Sequence, residues 1–139
     1  MGRLIFITGG ARSGKSKFGE DLALDLALQR DPNLNKGCVT YLATCVPSDR
    51  EMRERVKMHK DRRPSYWETV EEPREVARTI REKGYGTEVL LVDCLGLYVT
   101  NLLLEDEEET PSQEKCNLIL SSVREVAEVA RQVPSDVVV

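Results

Sequence analysis

Residues 9–16 read GGARSGKS, which satisfies the spacing G-x-x-x-x-G-K-[ST]. Gly9, Gly14, Lys15 and Ser16 hold the fixed positions, with Gly10, Ala11, Arg12 and Ser13 between them. Glycines let a backbone turn with its N–H groups facing inward, around a phosphate. A helix starting near Lys15 adds the positive end of its dipole. Lys15 supplies a point charge for β- and γ-phosphates, and Ser16 a hydroxyl for Mg²⁺. The plain alternative is a Gly-rich connection with a surface lysine. The flanks speak against it, because a buried strand before the loop and a helix after it are the context such a cradle needs.

Two further places can do chemistry with a bound nucleotide. Val89-Leu90-Leu91-Val92-Asp93 is an apolar run that ends in a carboxylate, as a strand carrying a Mg²⁺-holding Asp does. Many strands end in Asp, so this signal counts only together with the phosphate loop. Residues 57–64 read KMHKDRRP and contain the one histidine, His59. Taken alone, a charged helical stretch is a solvated face. Beside a triphosphate, a histidine among cations can act as a nucleophile in its neutral form, while Lys and Arg balance charge developing on phosphates. No N-K-x-D guanine signature follows, which disfavours a switch GTPase.

The elements that must position these groups follow from periodicity. Leu4–Thr8 is a continuous apolar run rich in β-branched and aromatic residues, expected as a strand buried on both faces. A helix is expected over 15–29, with Phe18, Leu22, Leu24, Leu26 and Ala27 as its apolar face. Asp31-Pro32-Asn33 breaks it. Val39–Ala43 reads as a second strand. Asp49 N-caps a helix over 50–60, whose sparse apolar positions Met52 and Val56 share one narrow face with His59. A short strand is expected at Tyr66–Val70, a helix from Pro73 to Lys83 with Val76, Ala77 and Ile80 inward, and a third buried strand at 89–93. Leu95–Leu104 reads as helix, 105–109 as a solvated acidic turn, and 113–132 as a long amphipathic helix. Val137–Val139 opens another apolar strand. A buried strand seldom closes a domain with its last residues still apolar, so a C-terminal part is expected to be missing. Alternating strands and helices predict an α/β fold with a mainly parallel sheet flanked by helices, in a single domain over 1–139.

Composition narrows the classes further. The chain has 139 residues and a formal net charge of -4, which disfavours a protein that coats nucleic acid. Residues 1–65 carry a net +5 and residues 66–139 a net -9, so an anionic ligand is sought in the first half. Cys38, Cys45, Cys94 and Cys116 form no C-x-x-C pair. They read as buried thiols in a reducing cytoplasm rather than zinc ligands. No apolar stretch reaches the ~18 residues of a membrane span.

Taken together, the motifs resemble those of the bifunctional adenosylcobinamide kinase/adenosylcobinamide-phosphate guanylyltransferase family of cobalamin biosynthesis. The resemblance runs through ITGGARSGKS at 7–16, YLAT at 41–44, EM and then H-K-x-x-R-P within 51–64, W-x-T-V-E at 67–71 and LLVDCLGLYVTNLL at 90–103. It covers nearly the whole chain, in the family's order. It implies a RecA-like P-loop NTPase fold, a homo-oligomer, and the use of GTP, ATP and Mg²⁺ on a corrinoid substrate, adenosylcobinamide. It implies that His59 becomes guanylylated. It implies nucleotide contacts from Gly9–Ser16, Ala43, Thr44, Cys45, Lys60, Asp61, Arg62, Arg63, Glu71 and Asp93, with Ser16 and Asp93 at the metal. Carboxylates at 71 and 93 can serve the guanine edge or the metal, and the residues do not divide these roles. Asp93 stands where some members have Glu, and Met58 where some have a second histidine. Two other readings compete: a small-molecule P-loop kinase without a covalent intermediate, and a non-catalytic P-loop module.

Overall fold

The structure is a computed structural model that describes residues 2–10, 14–47, 49–105 and 112–139. Ala11, Arg12, Ser13 and most of the acidic stretch after Glu105 lie outside the described residues. The chain runs β1 (Leu4–Ile5), α1 (Lys15–Arg30), β2 (Val39–Ala43), α2 (Arg50–Arg62), β3 (Glu68–Glu71), α3 (Val76–Lys83), β4 (Val89–Asp93), α4 (Leu95–Leu103), α5 (Gln113–Gln132) and β5 (Asp136–Val138). The strands form one five-stranded sheet in the order β1-β5-β4-β2-β3, and every pair is parallel. The α/β expectation is met, and β5 separates the strand before the phosphate loop from the strand ending in Asp93.

Strand alternation sorts the core into two layers. Val39, Tyr41 and Ala43 of β2 face the same side as Val89 and Leu91 of β4, and pack on Ala23, Leu26 and Ala27 of α1. Leu42, Leu90 and Val92 face the other side, against Val76, Ala77 and Ile80 of α3, Tyr98 of α4 and Val126, Val129 and Ala130 of α5. Helix α2 buries none of its residues.

Several expectations shift. The first strand is two residues long and half-buried rather than buried on both faces, because it lies at the sheet edge and pairs with β5 alone. Backbone pairing does continue, since the Ile7 N–H donates to the Val139 carbonyl at 2.8 Å. The face α1 buries is Gly19, Ala23, Leu26 and Ala27. Phe18 is instead 59% exposed. Gly19 lets the helix sit low on β4, since a Cβ there would stand 3.2 Å from Leu91 Cδ1. The strand expected at 66–70 starts two residues later. Helix α3 starts at Val76 rather than Pro73. The Glu72 carboxylate accepts the N–H groups of Arg74 and Glu75, at 3.1 and 3.2 Å, and holds that segment as a turn. Asp49 caps α2 as expected, its Oδ1 accepting from Met52 N at 2.7 Å. Only Cys38 is a buried thiol; Cys45, Cys94 and Cys116 are half-buried and all four are free. Among the described residues no helix is long and apolar enough to cross a membrane.

The β1–β5 edge is tied by a carboxylate. Asp136 is 3% exposed and accepts the Arg3 N–H at 2.8 Å and the Arg3 guanidinium at 3.3 Å. Arg30, the last residue of α1, reaches Asp136 Oδ1, the oxygen that accepts the Arg3 N–H, at 3.2 Å. Burial pushes the Asp136 carboxyl up. The Arg3 hydrogen bonds and the charges of Arg30 and Arg3 outweigh that and hold it below the usual range. Its stabilisation is therefore complete above the unfolded-state carboxylate value and is lost as pH falls through the lower folded value. Asp136→Asn should cost about 1–3 kcal/mol at neutral pH, the scale of hydrogen bonds to a charged group. Urea unfolding should also show the difference from the parent closing under strong acid.

Candidate functional site

All strands being parallel, their carboxyl ends lie along one edge, where α/β sheets bind ligands. Ala43 of β2 lies in register with Asp93 of β4 on one side and with Glu71 of β3 on the other. The phosphate loop follows β1 on the same edge. Beyond their paired ends, β2 and β4 are stitched together by Thr44. Its N–H donates to the Asp93 carbonyl at 3.1 Å. Its hydroxyl donates to the Cys94 carbonyl at 2.7 Å and accepts the Cys94 N–H at 2.9 Å. Asn101 of α4 then donates to the Thr44 carbonyl at 2.8 Å and to the Pro73 carbonyl at 3.0 Å.

Two cavities open on this edge and share Ser16 and Asp93. The larger, about 370 Å³, lies along the phosphate-loop side and is lined by Thr8, Gly9, Lys15 and the start of α4, among others. Gly14 caps α1 with φ 85° and no side-chain partner. A left-handed backbone suits glycine there, and the helix N-terminus is left without a side-chain cap. Lys15 makes no ion pair with the described residues.

The second cavity, about 170 Å³, is roofed by α2. Val56, His59 and Lys60 line it with Arg63, and Ala43, Cys45, Glu71 and Asp93 form its floor and walls. The front of α2 neutralises itself through Arg50–Glu54 and Arg55–Glu51 pairs. Toward its end, Lys57, Lys60, Arg62 and Arg63 pair with no carboxylate among the described residues. Arg63 lies with its guanidinium carbon 3.8 Å from the centroid of the Tyr41 ring, a cation–π contact. Its Nε is buried without a hydrogen-bond partner, a donor that an anion or a carbonyl in the cavity would satisfy.

Asp93 sits where the cavities meet. Its Oδ2 accepts the Tyr41 hydroxyl at 2.6 Å and stands 3.5 Å from Ser16 Oγ. Burial, and then the neighbouring Asp93 charge, push the Tyr41 phenol well above its usual range, so Tyr41 stays protonated and donates. A hydroxyl and a carboxylate this close, both hard oxygen donors, fit Mg²⁺, which takes one or two protein oxygens and completes its shell with phosphates and water. The Cys45 thiol is pushed up by burial, with Cys94, Asp93 and Glu71 adding to the effect. A protonated thiol is a poor nucleophile; the His59 imidazole lines the same cavity.

The structure thus brings Gly9, Lys15, Ser16, Ala43, Cys45, His59, Lys60, Arg63, Glu71 and Asp93 onto two joined cavities. Thr44 is fully buried and its hydroxyl is spent on Cys94. Gly10 is exposed on the loop, and Asp61 and Arg62 are exposed at the end of α2, outside the cavity linings. Ala11, Arg12 and Ser13 lie outside the described residues. Tyr41, Thr69, Pro47 and Leu97 also line the second cavity and were not singled out from the sequence. Tyr41 had a legible signal: it lies two residues before Ala43 on a strand, and hence on the same face.

The sequence is similar to known proteins. The family described as CobU, "Cobinamide kinase / cobinamide phosphate guanyltransferase", matches residues 5–139. The chain belongs to this family. It is 43% identical over 109 residues to the bifunctional adenosylcobalamin biosynthesis protein CobP of Pseudomonas aeruginosa, covering 78% of this chain and 58% of that protein. It is 32% identical over 140 residues to the bifunctional adenosylcobalamin biosynthesis protein CobU of Escherichia coli, covering 97% and 72%. The protein of the same name from Salmonella typhimurium is 38% identical over 100 residues, covering 72% and 50%. The chain therefore spans between 50% and 72% of the length of these relatives.

Thr44→Val keeps the shape of the side chain and strands the Cys94 backbone groups. It should lower stability by about 1–3 kcal/mol, the cost of unsatisfied buried polar groups. Thr44→Ser, which keeps the hydroxyl, should lose less. Denaturant titration of both variants checks this, and equal losses would show that the hydroxyl does not hold β2 to β4.

Proposed function

We propose that these residues form the nucleotide-binding domain of a bifunctional adenosylcobinamide kinase and adenosylcobinamide-phosphate guanylyltransferase. The observation that carries this reading is the pair of cavities joined at Asp93, one leading to the phosphate loop and the other to His59 among unpaired cations. A nucleotide lying across the junction would place phosphates at Lys15 and the helix N-terminus. Ser16 and Asp93 would hold Mg²⁺, which neutralises phosphate charge and orients the phosphates when bound.

In the kinase step, the aminopropanol hydroxyl of adenosylcobinamide attacks the γ-phosphorus of ATP or GTP. The bond to the bridging oxygen breaks, the nucleoside diphosphate leaves and the hydroxyl proton passes to water. Lys15 balances the charge passing to the leaving oxygens. In the guanylyl step, a neutral His59 nitrogen attacks the α-phosphorus of GTP. An N–P bond forms, the α–β bridging P–O bond breaks, and pyrophosphate leaves. The phosphate of adenosylcobinamide phosphate then attacks the same phosphorus, the N–P bond breaks, and adenosylcobinamide-GDP departs with His59 restored. Lys60 and Arg63 stand beside His59 to balance charge on the phosphates, and Glu71 can accept hydrogen bonds from the guanine edge. The reading carries with it a homo-oligomeric assembly, a reducing cytoplasm for the four thiols, and no nucleic-acid partner.

Mass spectrometry after incubation with GTP and Mg²⁺ tests the covalent step. The expected result is one added GMP on His59, labile in acid and stable in base as a phosphoramidate is. His59→Ala should lose the adduct and retain part of the phosphorylation by ATP. An adduct on another residue would remove His59 from this role. Turnover of the kinase step with no adduct at all would favour the plain P-loop kinase, and nucleotide binding without any turnover the non-catalytic module. Lys15→Ala should lower kcat/KM in both reactions by about 10²–10³, the scale of removing one preorganised charge contact. Near-normal kcat/KM with both nucleotides would take the phosphate loop out of the mechanism. Asp93→Asn should leave the fold intact and shift the Mg²⁺ dependence of both steps; an unchanged Mg²⁺ titration would make Asp93 a plain strand-end residue.

A further inference from the structure

Tyr41 is the side chain on which the two halves of the site converge. Its hydroxyl gives the shortest contact to Asp93, 2.6 Å against the 3.5 Å from Ser16. Its ring carries the Arg63 guanidinium at 3.8 Å. Its body is buried, 8% exposed, in the layer under α1 with Ala43 and Leu91. Packed in the core layer and covered by Arg63, the ring is held with its hydroxyl on Asp93. Asp93 makes no ion pair with the described residues. Apart from the long contact to Ser16, the Tyr41 hydroxyl is the side-chain donor to Asp93 among the described residues.

We propose that Tyr41 is a positioning residue for the nucleotide-bound metal. Its hydroxyl occupies Asp93 Oδ2 and aims the remaining carboxylate lone pairs toward Ser16, and its ring seats Arg63 over the same junction. Carboxylates at metal sites are commonly fixed by such outer partners, whose loss weakens metal binding about 10–100-fold. One residue of β2 would thereby tie the metal side of the site to the cationic side, and Tyr41 itself touches no reacting atom. The inference rests on the nucleotide-binding reading given above.

The test is a binding experiment on the full chain, with a GTP analogue whose α–β bridge is methylene so that no guanylyl transfer occurs. Affinity is measured without Mg²⁺ and across a Mg²⁺ titration, for the parent and for Tyr41→Phe, which keeps the ring and its packing. Tyr41→Phe should raise the half-saturating Mg²⁺ concentration about tenfold and leave the metal-free affinity within about twofold, because Arg63 keeps its seat. A general loosening of the fold would instead lower both affinities together. An unchanged Mg²⁺ titration, or an equal loss with and without Mg²⁺, overturns the role of Tyr41 while leaving the nucleotide reading intact. A parent protein that binds no analogue at all overturns both. Thermal unfolding of Tyr41→Phe accompanies the titration, and a folded variant with parent-like metal response counts against the proposal.

Discussion

The parallel pairing of β2 with β4 is the constraint on which the rest of the site depends. It sets Ala43 against Asp93, and Thr44 prolongs it by bonding both backbone groups of Cys94 through one hydroxyl. A threonine buried at 0% exposure has few ways to satisfy its hydroxyl, and here both of its roles, donor and acceptor, are used on one neighbour. That closes the β2–β4 seam beyond the last paired residues. It fixes where β4 turns into α4 and where β2 leaves the sheet toward α2. Asp93, Cys45 and the approach to His59 all follow from that one seam.

Charge is arranged around the seam in a way that leaves it available. The first turns of α2 pair their arginines with glutamates one turn away. The far end, which carries His59, Lys60 and Arg63 over the cavity, has no such internal partner among the described residues. Exposed i,i+4 pairs contribute little stability. Their placement matters more here, because they neutralise the start of the helix and leave the cations at its cavity-lining end unpaired among the described residues. Since α2 buries nothing, its N-cap at Asp49 and the Arg63–Tyr41 contact just past its end are among the contacts that place it.

The sheet is firm in its middle and thin at the β1 side. Leu42, Leu90, Val89, Val137 and Val138 are fully buried, whereas β1 is short and pairs with β5 only. Phe6, at 62% exposed, lines the larger cavity beside the phosphate loop. The Asp136 carboxylate compensates by drawing Arg3 and Arg30 together across β5, so the strand that feeds the phosphate loop is anchored by ionic contacts as well as by the sheet.

The sequence by itself determined the alternation of strands and helices, the parallel α/β class and the phosphate loop. It also determined the carboxylate at the end of β4 and the cationic helix around His59. These are local matters of periodicity, capping chemistry and fixed spacing. Helix and strand limits were legible to within a few residues wherever apolar runs or caps marked them, as at Asp49 and over 113–132. Pro73 misled, because the Glu72 carboxylate gathers the Arg74 and Glu75 N–H groups into a turn and the helix begins only at Val76. The burial of β1 and of Phe18 was misjudged, because whether an apolar residue is covered depends on which strand becomes the sheet's edge, and that is set by strand order. Tertiary structure alone decided that Tyr41 bridges Asp93 and Arg63, that Thr44 is a brace rather than a lining residue, and that His59 and the phosphate loop open onto joined cavities. Each of these joins residues 20 or more positions apart in the chain, and the parallel register of the sheet brings their strands side by side.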